Sequence, residues 1–330
     1  MNKKGFIFTF ISVILISVIV LAFLIQYTSR TRTNIEKTNT EVETMNSFVK
    51  SLNENYMPRA LQISGNQAIL ALLHHMDVND NYIGPPGGGD QWDEEAWDIK
   101  RIIKNAVVDG EYKNGWGANG DKLELMEIDN VGYNISSTIN ELIILSNYTG
   151  INLEIISDID TPQFKNAMSV SQDDPWHVKI SMDIEYKISN KKGDTYWNYE
   201  GAGKKTITAR IPIYNFREPV YMIEPESQLN ITINKTIYEM PGEVNLHAQY
   251  TNFLECAQAP SFLLRMCGLA DNCIEGSGGQ GIESLIEEVK SPTASAIDYQ
   301  YLMQQNPQGL ANIPNSQYYI DSSHSYCYNF

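Results

Sequence analysis

Four cysteines, five histidines and four Asn-x-Ser/Thr triplets are the residues with chemistry to offer. Cys256, Cys267, Cys273 and Cys327 all fall in the last quarter of the chain. In a body outside the cell, an even count reads as two disulfides, for which three connectivities exist. The competing reading is zinc, with His324 near Cys327. The 10 and 5 residues between the first three cysteines differ from the tight Cys pairs of zinc sites, so disulfides are expected and no metal is assigned. Asn134-Ile-Ser136, Asn147-Tyr-Thr149, Asn230-Ile-Thr232 and Asn234-Lys-Thr236 are acceptors for N-glycosylation in an exported chain.

The motifs of catalysis fail on inspection. Asp77, Asn79 and Asn81 copy the first oxygen positions of a calcium loop, but Tyr82 stands where its glycine belongs and Gly88 where its glutamate belongs. Ser277 follows Glu275-Gly276 and so lacks the leading glycine of a nucleophile elbow, and no His-Glu-x-x-His occurs. Gly84–Asp90 is a loop by composition, without the Gly-Lys-Ser/Thr of a phosphate loop. His74, His75, His177, His247 and His324 pair with no acid at catalytic spacing. No catalytic residue and no cofactor is expected, and the chain does not read as an enzyme.

The elements that carry these residues begin with an anchor. No charged residue stands between Gly5 and Ser29, and residues 6–27 are almost wholly apolar. A helix of about 20 such residues spans a bilayer. The 330 residues carry a net charge of -16, yet residues 1–37 hold five basic residues and one acid. Flanking charge is nearly balanced between Lys3 and Lys4 on one side and Arg30, Arg32 and Lys37 on the other. The cysteines and triplets therefore decide the orientation: N-terminus inside, C-terminal domain outside. The acidic balance excludes a nucleic-acid partner, and the lipid bilayer is the expected one.

Lys3-Lys4-Gly5-Phe6, followed at once by the apolar run, resembles the class III (type IV pilin-like) signal peptide of archaeal surface proteins. The resemblance implies cleavage between Gly5 and Phe6 by a prepilin-type peptidase, a retained apolar helix, and other pilin-like subunits as partners. Phe10 occupies the fifth position after that cut, where many bacterial-type pilins carry Glu. Further along, Ile211–Tyr221, Ser261–Arg265 and Ile320–His324 resemble short segments of archaeal surface proteins, and they imply no catalytic residue.

The expected fold is α+β, in five stretches. Residues 1–29 are the signal and anchor. Residues 30–57 are a helical stalk: Ile35, Val42, Met45, Val49, Leu52 and Tyr56 make an a/d stripe that pairs with another copy or packs on its own domain. Residues 58–149 are the helical part of the ectodomain, with Pro58 starting or kinking a helix, and further helices within 91–108 and 121–148. Residues 150–240 are an antiparallel meander. Its signature is the alternation His177–Ile188, with Pro219–Ile223 and Asn230–Tyr238 as further extended runs. Residues 241–330 are mixed and disulfide-stabilised, with a short helix over 282–290 and a strand at Tyr318–Ile320. The functional expectation is a membrane-anchored extracellular surface protein, pilin-like, structural or adhesive. The alternatives are an anchored hydrolase and a ligand-binding ectodomain.

Overall fold

A computed structural model describes residues 39–83, 99–112, 121–128, 131–159, 161–193, 196–223, 231–268, 281–287, 295–298, 309–316 and 318–330, with Leu21, Ile25 and Gln26 helical ahead of them. The rest of the apolar run, Gly5 and Phe6 lie outside the described residues. Among the described residues no helix is long and apolar enough to cross a membrane.

Residues 39–51 are helical, Leu52–Tyr56 form a π-helical turn, and Met57–Asn79 continue as α-helix. Pro58 has no N–H to give to the ladder, and the helix absorbs this without ending. The Met57 N–H reaches back to the Leu52 carbonyl, five residues earlier, and opens the turn in front of the proline. Met45, Val49 and Leu52 of the a/d stripe bury in the same core as the rest of the helix, whereas Tyr56 is exposed. The stripe thus packs on its own domain, and the packing has no boundary at residue 57.

Two short antiparallel pairs follow helix Ile99–Asp109: β1 (Glu111–Tyr112) with β2 (Asp121–Lys122), and β3 (Glu127–Ile128) with β4 (Val131–Gly132). Helix Ile135–Tyr148 then leads into β5 (Ile151–Ile155). The centre of the molecule is the run β7 (His177–Ile184) and β8 (Tyr186–Asn190), whose even-numbered residues from Val178 to Ile188 are all buried. β7 lies between β6 (Ser169–Asp174) and β10 (Lys205–Pro212); β8 lies between β5 and β9 (Tyr196–Tyr199). The run changes sheets at Glu185. There Ile156 N–H donates to the Glu185 carbonyl at 2.9 Å and Glu185 N–H to Ser157 Oγ at 2.8 Å.

The long helix covers the buried face of this sheet. Gly65 makes that possible: a Cβ there would stand 2.3 Å from Ile211 Cδ1 and 2.9 Å from Ile180 Cδ1. At the π turn, the Tyr186 hydroxyl bonds to the Asn53 side chain, and burial pushes the phenol up to about 12 despite that bond.

Several local expectations need correction. Pro219–Ile223 is helix, not strand: the carboxylate of Glu218 accepts the Tyr221 N–H at 2.7 Å and caps it. Residues 282–287 are not helical. They form β12 (Gly281–Glu283) and β13 (Leu285–Glu287), with Ser284 between them. β12 pairs with β11 (Leu254–Cys256), and β13 with β14 (Ser295–Ile297). β15 (Leu310–Asn312) pairs with β16 (Tyr319–Asp321). The meander is two three-stranded sheets sharing one long run; its strand β6 and the helix Pro162–Ala167 ahead of it are not expected from the sequence.

The C-terminal strands enclose a second, smaller core of Val244, Leu254, Ala259, Leu285, Ile297, Ile313, Ile320 and Tyr328, with Cys256. The two cores are tied together by backbone and side chain. Trp176 of the first core donates its indole N–H to Glu255 Oε2 on β11 at 3.1 Å, and β11, which carries Leu254 of the second core, pairs with β12, which carries Ile282 of the first. The architecture is α+β with antiparallel sheets throughout.

Candidate functional site

Charged side chains rarely leave water entirely. Glu218, Arg265, Glu283 and Asp298 each show 0% exposure, and His324 shows 5%. They lie where the two cores meet, and each is placed by a different element. Glu218 caps helix 219–223. Arg265 sits on helix Phe262–Met266, whose own cap is Ser261 accepting the Leu264 N–H at 3.2 Å. Asp298 follows β14 and donates its N–H to the Ser284 carbonyl at 2.9 Å. Glu283 ends β12, and His324 lies on the 3-10 helix Ser322–Tyr328. Gly281 fixes the approach of β12: a Cβ there would lie 2.0 Å from the Ala259 carbonyl oxygen and 2.3 Å from that of Pro260.

Arg265 divides its donors. One terminal nitrogen meets Glu218 Oε1 at 3.0 Å; the other meets Asp298 Oδ2 at 2.7 Å and the Ile282 carbonyl at 2.8 Å. Burial works to lower the pKa of the guanidinium, but Asp298 and Glu218 outweigh it and hold the group charged, above its ordinary value. Burial raises the Glu218 carboxyl even so, against the attraction of Arg265.

Beside this triad is a second pair, Glu283 Oε2 and His324 Nδ1 at 2.8 Å. Burial raises the Glu283 carboxyl too, opposed by the hydrogen bond to His324. The same imidazole nitrogen lies 3.8 Å from Cys256 Sγ, and the Tyr326 hydroxyl lies 3.5 Å from that sulfur. Tyr328 and His247 close the cluster edge to face, centroids 6.0 Å apart. Burial raises the Tyr328 phenol well above its ordinary value and lowers His247 to about 4. The rest of the cluster is sealed, but Cys256 and Cys327 line an open cavity of about 700 Å³, with Lys235, Tyr238, Glu255 and Tyr326 around it.

The structure places the sequence-predicted residues unevenly. Cys256 and Cys327 are bonded at 2.01 Å, closing 71 residues of chain. Cys267 is also disulfide-bonded; Cys273 lies outside the described residues. Asn147 and Asn234 are exposed, and Asn230 lies outside the described residues. Asn134 is half-buried as the cap of helix 135–148: its Oδ1 accepts the Ser137 N–H at 2.7 Å and its Nδ2 donates to the Asp109 carbonyl at 3.3 Å. His74 and His75 stand near the end of the long helix and take no part in the buried cluster, His75 lying instead 4.5 Å from the Tyr112 ring.

Sequence reasoning passes over Glu218, Arg265, Glu283 and Asp298. The signal was a single charge inside an apolar stretch, as in Phe262-Leu263-Leu264-Arg265-Met266. Residues 211–221, 261–265 and 320–324 supply Glu218, Arg265 and His324, all to this one cluster. Compared with protein-family models, with curated proteins and with solved structures, the chain gives no match.

Proposed function

We propose that this chain is a membrane-anchored extracellular surface protein, pilin-like at its N-terminus, with a structural or adhesive role. The observation that carries the reading is an oxidised, acidic α+β body held behind an uncharged apolar run: the Cys256–Cys327 bond follows residues 6–27 in one chain. Disulfides persist in oxidising compartments and are rare in the cytosol. The long helix over residues 39–79, which follows the apolar run in sequence and lies along the sheet, would give such a body a firm mount. The buried ionic cluster fits a structural part, since its charges face one another and join two cores.

Thiol labelling of intact cells with a membrane-impermeant reagent tests the reading. Labelling that needs reductant but not lysis is expected. Four thiols that label only after lysis, and without reductant, would place the body in the cytosol and end the proposal. Mass spectrometry of the mature N-terminus tests the cut after Gly5: an intact Met1 or Asn2 leaves a plain signal anchor. A ligand-binding ectodomain is the second reading, favoured by the cavity beside the disulfide.

A further inference from the structure

Cys256, Glu283, His324 and Cys327 each offer one ligand atom, and those four atoms all lie within 4.8 Å of one another. They come from β11, from β12 and from the 3-10 helix. We infer that the disulfide is one of two states of this site, and that on reduction the four side chains form a tetrahedral site for a zinc-class divalent cation. The inference does not depend on where the chain is displayed.

The donor set suits the ion. Zinc takes Cys sulfur at about 2.3 Å, and His nitrogen and carboxylate oxygen at about 2.0–2.2 Å. Tetrahedral angles then put neighbouring ligand atoms roughly 3.3–3.8 Å apart. Cys256 Sγ and His324 Nδ1 already stand at 3.8 Å, and His324 Nδ1 and Glu283 Oε2 at 2.8 Å. The two sulfurs, bonded to each other in the oxidised chain, are freed to separate once that bond is reduced. The other groups are nearly in position before the ion arrives.

A second observation points to a ligand. Glu283 is wholly buried, and its Oε1 has no hydrogen-bond partner. A carboxylate oxygen left this way inside a protein is short of a donor or a cation. Entry is provided as well, because the open cavity of about 700 Å³ is lined by both cysteines.

The chemistry balances with a dithiol as reductant. It gives two electrons and two protons, closing into its own disulfide as the Cys256–Cys327 bond breaks into two thiols. Both thiols then lose their protons to solvent as the cation binds, because the thiolate is the ligand. Two thiolates and a carboxylate in a buried site would repel one another without the ion, so reduction and loading support each other.

The test uses the full-length chain, reduced with a phosphine under anaerobic conditions, and cobalt(II) and zinc(II) as probes. The oxidised chain should leave cobalt without a thiolate charge-transfer band. The reduced chain should bind one equivalent with that band, and zinc should displace it. Cys256→Ser should abolish the band. Glu283→Gln, which keeps the side chain's shape, should weaken binding at least about tenfold, and His324→Ala likewise. Cys267→Ser paired with Cys273→Ser should leave the spectrum unchanged. A reduced wild-type chain without the band overturns the inference, as does a band that survives Cys256→Ser. Unchanged affinity in Glu283→Gln also overturns the four-ligand site, as does a reduced chain that loses its near-ultraviolet circular dichroism and does not regain it with zinc.

Discussion

Replacing Arg265 with methionine removes the cation that Glu218 and Asp298 share, while filling nearly the same space. The guanidinium makes contacts of 3.0 and 2.7 Å to the two carboxylates and 2.8 Å to the Ile282 carbonyl, all at 0% exposure. Breaking a buried ion pair by removing one partner costs about 3–5 kcal/mol, because the remaining charge is left without compensation. Arg265→Met should therefore lose about 3–5 kcal/mol at neutral pH, read from urea unfolding by tryptophan fluorescence, to which Trp176, buried against Tyr214, contributes. The sign with pH follows from Glu218. Its folded carboxyl already stands above the ordinary 4.5, so its contribution to stability is whole below that value and declines as pH rises through the folded pKa. Without Arg265 the folded value climbs further. The variant's deficit should then be smaller near pH 5 than at neutral pH. Adding Glu218→Gln and Asp298→Asn should recover most of the loss, since the glutamine oxygen still accepts the Tyr221 N–H. A deficit below about 1 kcal/mol, or one equal at both pH values, would refute the account of the cluster as charges that hold one another inside.

Gly65→Val should cost about 1–3 kcal/mol in the same assay, since its side chain must displace Ile211 and Ile180 from a filled core; a neutral result would mean that helix and sheet are not tightly apposed. Asn134→Ala should cost about 1 kcal/mol through the lost helix cap, and intact-mass and glycopeptide analysis should find Asn134 bare even where Asn147 or Asn234 carries glycan. His247 has both ring nitrogens buried without a hydrogen-bond partner and titrates at about 4 when folded, against an ordinary 6.5. Its contribution is therefore whole above 6.5 and is lost as pH falls toward 4. His247→Phe should flatten that acid limb of the stability curve, and an unchanged limb would assign the loss elsewhere.

The long central run was readable because only one of its faces is covered, so burial wrote a period of two into residues 178–188. Helix 135–148 was legible from its apolar residues. Elsewhere the local pattern and the tertiary outcome parted. Pro219-Val220-Tyr221-Met222-Ile223 has the composition of a strand, and one side-chain cap from Glu218 turns it into a helix. Residues 282–287 have helix-forming types, but Gly281 lets that chain press against residues 259–260, where Cys256 and Leu254 offer a strand to pair with. β6 is polar at five of its six positions and offers no apolar run. The buried cluster had no spacing to detect. Residues 218, 265, 283, 298 and 324 sit on separate elements, and only the packing of one core on the other brings them within reach.

The uninterrupted helix from residue 39 to Asn79 also sets how the molecule would bear load. Its buried apolar side chains run from Met45 to Met76 along its length, all in one core. A pull on the N-terminal segment, resisted by something holding the body, acts along the helix axis and parallel to that seam. It must slide every buried side chain past its neighbours at once, instead of peeling the helix away one turn after another. The widened turn at Leu52–Tyr56 is where such a helix can stretch first, because its longer ring already departs from the tight ladder. A helix seated this way yields a little at that turn and then holds through simultaneous shear of the whole seam.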